Sequence, residues 1–81
     1  MLSDIEYKKL AWHSRRGMRE LDLLLLPFVE FHLRTIPAQE QLLYERLLEE
    51  EDQDLYNWLV LRESAPEAAL QQMVDLIRSS R

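Results

Sequence analysis

The chain has 81 residues, 47% of them hydrophobic, which is enough for one small core and sets the expectation of a single unit over residues 1–81. It has no cysteine, two histidines and one glycine. That composition excludes a disulfide scaffold, a thiolate zinc site, thiol catalysis and glycine-rich phosphate loops. The formal charge of −5 is unevenly spread: residues 1–19 carry net +3 and residues 20–81 net −8. A general phosphate-backbone binder is disfavoured by that balance, so no nucleic-acid partner is expected. The longest apolar run, residues 23–26, is far short of a membrane span, and Asp4 and Glu6 interrupt any apolar signal core. The expectation is a cytoplasmic protein without membrane insertion. At this length stability is expected to be only about 4–12 kcal/mol.

Helix formers dominate and no stretch alternates with the two-residue period of a strand, so the predicted fold is all-α, a compact bundle of five short helices. Ser3 and Glu6 fit a capping box opening a first helix over residues 4–14. Arg15-Arg16-Gly17 ends it, with the only glycine placed where a chain leaving a helix often needs positive φ. A second helix over residues 18–33 is apolar on most sides and is predicted to form the centre of the bundle. Pro27 lies inside it and predicts either a kink or a division into two short helices.

Thr35-Ile36-Pro37 is a break, with Pro37 suited to the first turn of a third helix over residues 37–50. That helix places Leu43, Tyr44, Leu47 and Leu48 on one face and Glu40, Glu45 and Glu49 on the other. A short fourth helix starts at Asp52 or Gln53 and packs through Leu55, Trp58 and Leu59. Ser64-Ala65-Pro66-Glu67 reads as a capping box with an early proline, opening a fifth helix that packs through Ala69, Leu70, Met73, Val74 and Ile77.

The densest cluster of chemistry lies at residues 15–22, where Arg15, Arg16, Arg19, Glu20 and Asp22 surround Gly17 and Met18. Arginine offers a planar fork of donors suited to carboxylates across an interface. The bland alternative is that Arg16 and Glu20 pair with each other or with helix ends, fixing the turn. Glu20 and Asp22 point about 200° apart on a helix and cannot work as an acid–base pair. The acidic stretch of residues 40–54, net −6, is either an attractor for a basic partner or a solvated face with helix-capping acids. His13 and His32 match no ligand or triad spacing, so no metal and no catalytic residue is expected. Trp12, Phe28, Phe31 and Trp58 read mainly as core, Trp12 least so because it neighbours the charged turn.

Arg16-Gly17-Met18-Arg19-Glu20 resembles the Arg-Gly-x-x-Glu motif of the succinate dehydrogenase flavinylation factors, the SdhE-like family. Trp12, Glu20-Leu21-Asp22, Pro27-Phe28, Leu47-Leu48-Glu49 and Asp54-Leu55-Tyr56-Asn57-Trp58-Leu59 extend the likeness over residues 5–78. The resemblance implies a five-helix assembly factor, not itself an enzyme. It would bind the flavoprotein subunit of succinate dehydrogenase, and of fumarate reductase where present, and promote covalent attachment of FAD. In that chemistry a histidine of the flavoprotein attacks the 8α-methyl carbon of the flavin, and the factor holds no cofactor stably. The implied partner-binding positions are Arg16, Gly17 and Glu20, with Arg15, Met18, Arg19, Asp22 and Lys9 beside them. Many relatives have cysteine where this chain has Ser14, so a thiol role is absent here. The factor is expected to be monomeric when free. Some bacterial members carry the antitoxin name CptB, which gives a second reading: a regulator of a membrane-tethered toxin or a cytoskeletal protein.

Overall fold

A computed structural model describes residues 2–80 and places five helices in chain order: α1 (Asp4–Ser14), α2 (Arg19–Phe31), α3 (Ala38–Leu47), α4 (Asp52–Leu59) and α5 (Ala68–Ser79). The described residues form no strand, and none of their helices is long and apolar enough to cross a membrane. The all-α prediction holds.

α1 begins as its residues require. Glu6 N–H donates to Ser3 Oγ (3.1 Å) and Ser3 N–H donates to Glu6 Oε1 (2.9 Å). Accepting the Ser3 N–H holds the Glu6 carboxyl below its usual range. The far side of α1 is buried through Leu10 and Ser14, with Tyr7 and Ala11 packed beside them. Ser14 Oγ donates to the Leu10 carbonyl (2.7 Å), so the Tyr44 hydroxyl, 2.6 Å away, donates to Ser14 Oγ. This buried pair ties α1 to α3.

α2 packs against α1, α4 and α5 and is central, as expected. Leu21, Leu25, Phe28 and Val29 are buried, each contributing about 1.5–3 kcal/mol of transfer free energy. The sequence overstates its burial, however: Leu23 and Phe31 face solvent, because the three neighbouring helices cover only part of its circumference. It also ends at Phe31, two residues before the predicted end, and it is one helix rather than two. Pro27 and Leu23 both lie on the exposed side, where water can replace the missing backbone donor. Tyr7 Oη donates to the Val29 carbonyl (3.0 Å), and the Arg34 guanidinium lies 4.1 Å over the Tyr7 ring while its Nη2 holds Asp4 at 2.6 Å.

Helices α3 and α5 depart from expectation in instructive ways. α3 is shorter than residues 37–50; Pro37 occupies the N-cap position, just before the helix, and Glu49 and Glu50 belong to the following turn. α5 starts at Ala68, four residues after Ser64, and no capping box forms. Glu67 instead pairs with Arg46 Nη2 of α3 (2.6 Å), and Gln71 Oε1 accepts from Ala65 N–H (2.7 Å). Ala69, expected in the core, is exposed, whereas Leu70, Met73, Val74 and Ile77 are buried.

Candidate functional site

The turn between α1 and α2 is where the motif sits, and the structure divides its residues into two groups. Arg16 points inward. Its side chain is only 15% exposed, and Nε donates to Asp52 Oδ1 at 2.7 Å. Nη1 donates to the carbonyls of His13 and Leu48, both at 3.0 Å, and Nη2 donates to the Glu50 carbonyl at 2.9 Å. Four of its five N–H groups are thus engaged. Two of the acceptors, Leu48 and Glu50, follow the end of α3, where carbonyls lack intrahelical partners and a cation is favoured. The guanidinium therefore stitches the α1–α2 turn to the α3–α4 turn.

Asp22 completes this inner set. From the first turn of α2 its Oδ1 accepts the Arg16 backbone N–H (2.9 Å), closing the loop on itself. Met18, the residue before α2, is half-buried against the core. Of the two early alternatives for Arg16, pairing with a helix end is the one observed, and its partner is Asp52, not Glu20.

Gly17, Arg15, Arg19, Glu20 and Lys9 point the other way. Gly17 adopts φ +83°, as its place predicted, and a Cβ built on it would meet no heavy atom within 4 Å. The glycine is demanded by backbone conformation, with open space above it. Glu20 is exposed, and its side chain makes no hydrogen bond or ion pair among the described residues. It stands at the edge of a groove of about 250 Å³ lined by Leu23, Leu24, Leu59, Val60, Arg62 and Arg78. Arg62, three residues beyond the end of α4, holds φ +65°, one other left-handed position. Arg15, Arg19 and Lys9 are likewise exposed and unpaired among the described residues. Glu20 and Asp22 diverge as the helical period requires: one faces solvent and the other faces the turn.

Among the aromatics, Phe28 and Trp58 are core as expected, but Trp12 and Phe31 are exposed. His13 lies at the surface and contributes its carbonyl to Arg16; His32 Nε2 lies 2.9 Å from the Ser80 carbonyl. The described residues contain no group of three or more metal-ligating side chains. Two participants were not legible in sequence: Asp52, which is 36 positions from Arg16, and the Ser14–Tyr44 pair, 30 positions apart. Burial pushes the Tyr44 phenol well above its ordinary pKa, an effect the Ser14 hydrogen bond only partly opposes.

Taken together, the fold and this turn define a small all-α protein that presents an open surface loop on a rigid internal clamp. A family model described as flavinator of succinate dehydrogenase matches residues 8–81. The chain is 47% identical over 77 residues to the FAD assembly factor SdhE of Pseudomonas savastanoi pv. phaseolicola, covering 95% of this chain and 92% of that protein. The FAD assembly factor SdhE of Pseudomonas aeruginosa is 46% identical over the same shares. That of Yersinia pseudotuberculosis is 42% identical over 71 residues, 88% of this chain and 81% of the relative. The chain belongs to the succinate dehydrogenase flavinator family.

Proposed function

We propose that this protein is an assembly factor that binds the flavoprotein subunit of succinate dehydrogenase, and of fumarate reductase where present, and promotes covalent attachment of that subunit's FAD. The observation that supports it best is the division of the motif turn. Arg16 and Asp22 fix the loop from within, leaving Gly17 and Glu20 uncovered on a scaffold that does not need them for packing.

A preformed, uncovered loop docks with little ordering cost. Gly17 permits close approach of a partner backbone, and Glu20 offers a carboxylate for a charge-assisted hydrogen bond. Arg15, Arg19 and Lys9 add positive charge that speeds and orients encounter. In this reading Arg16, Met18 and Asp22 serve the partner indirectly by shaping the loop. The FAD belongs to the partner, whose histidine forms the bond to the flavin 8α carbon. The factor contributes binding, not catalysis, and works in the cytoplasm, as a monomer when free, without nucleic acid or membrane insertion.

In-gel ultraviolet fluorescence of the denatured succinate dehydrogenase flavoprotein tests this, with the gene present, deleted, or carrying Gly17→Arg. Fluorescence is expected to be lost on deletion and not restored by the variant. Undiminished fluorescence in all three strains would contradict the proposal.

A further inference from the structure

Helix α1 carries apolar side chains on two opposite faces, and the fold uses only one. Tyr7, Leu10 and Ser14 turn into the core or against it. Ile5 and Trp12 turn out, 69% and 74% exposed. The spacing 5, 8, 12, 15 follows a single helical stripe, so Lys8 and Arg15 flank the indole on that outer face, with Lys9 alongside. Shallow hollows open on both sides of Trp12, one lined by Lys8, Ala11 and Arg15, the other by His13, Arg16, Leu48, Glu49 and Asp52.

The charges here are unbalanced from within the chain. Arg16, Arg34 and Arg46 each hold a carboxylate, whereas Lys8, Lys9 and Arg15 hold none among the described residues. Of the nearby acids, Asp4 pairs with Arg34 and Asp52 with Arg16; Glu6, which accepts from Ser3 N–H, keeps its charge near Lys9, and Glu49 stands on the rim. An amphipathic indole flanked by cations that hold no ion pair among the described residues has the composition of an interface anchor.

We propose that the outer stripe of α1 is a second docking surface for the flavoprotein partner, engaging an acidic patch of that subunit that contains an apolar pocket for the Trp12 indole. The proposal rests on the function proposed above and extends its interface, because Arg15 carries the stripe directly onto the open face of Gly17. Charge complementarity sets the partner's chemistry: carboxylates opposite Lys8, Lys9 and Arg15, and an uncharged recess opposite Trp12. A rival occupant exists within the chain itself, since residues 40–54 carry net −6 and could meet this stripe on a second copy.

The test is titration of the purified succinate dehydrogenase flavoprotein subunit with the wild-type chain, Trp12→Ala, Trp12→Phe and the double variant Lys8→Glu/Arg15→Glu. Melting temperatures and sedimentation of each free chain accompany it. Trp12→Ala is expected to raise Kd at least about tenfold, equal to about 1.4 kcal/mol, with an unchanged melting temperature. Trp12→Phe should stay within about threefold of wild type, and the double variant should lower the association rate and flatten its salt dependence. Wild-type binding that Trp12→Ala leaves intact would overturn the stripe while sparing the assembly-factor reading. Absence of binding by the wild type itself would overturn both. A wild-type dimer that Trp12→Ala converts to monomer, with partner affinity unchanged, would assign the stripe to a second copy and overturn the proposal.

Discussion

The two charged ends of the motif, Arg16 and Glu20, lie one helical turn apart in sequence and live in different regions of the molecule. Arg16 sits in the seam between the α1–α2 and α3–α4 turns with four donors engaged; Glu20 stands on the rim with none of its acceptors used inside the described chain. The contrast separates two requirements that a motif read as letters merges. One residue makes the loop exist in one shape; the other, in the proposed function, is left for the partner. Gly17 belongs to both regions, since its backbone angle serves the fold and its flank is open.

The sharpest way to break this contrast is to remove the seam. Arg16→Ala strips a largely buried cation from Asp52 and three carbonyls, and is expected to cost about 3 kcal/mol, with a melting temperature lower by more than about 10 °C. Arg16→Lys should recover little, because a point charge cannot reproduce the planar fork. A variant that melts like the wild type would return Arg16 to the contact surface. Next in size, Ser14→Ala leaves the Tyr44 hydroxyl buried without its acceptor and should cost about 1–3 kcal/mol by denaturant titration. Adding Tyr44→Phe should win part of that back, since both polar partners are then gone.

Tyr44 also predicts an alkaline limit. Burial raises its pKa in the folded state above the ordinary phenol value of about 10, so the folded form keeps a proton that the unfolded form releases. Its contribution is complete below about pH 10 and declines as pH rises beyond it. Comparing denaturation midpoints at about pH 9 and pH 11 should show a loss that Tyr44→Phe lacks. Smaller still, Gly17→Ala should cost about 1 kcal/mol, through the left-handed backbone alone, because nothing crowds a Cβ there. Thermal melting gives that value, and a much larger loss would mean that the site is packed. Glu20→Ala should change stability by less than about 0.5 kcal/mol.

Much of the architecture could be read from local pattern. The Ser3 and Glu6 capping box, the start of α4 at Asp52 and the place of Gly17 are set by residues within a turn of one another. Departures arose where a distant residue recruited a local one. Glu67, expected to close a capping box with Ser64, is instead paired with Arg46, and α5 starts only at Ala68. Helical spacing could not rank the apolar residues of α2, and Leu23 and Phe31 lost to neighbours that three packing helices actually cover. At the site, the identity of the turn was legible, but the inward course of Arg16 was not. Its carboxylate partner and two of its three carbonyl partners lie more than thirty residues away.

In the proposed function the contact face of the turn is separable from its structural clamp. The most direct test is the affinity of Glu20→Ala for the purified succinate dehydrogenase flavoprotein subunit, measured beside its melting temperature. A Kd raised at least about tenfold with melting unchanged is the predicted result. Wild-type affinity, or a loss of affinity that merely follows a collapse in melting temperature, would contradict it.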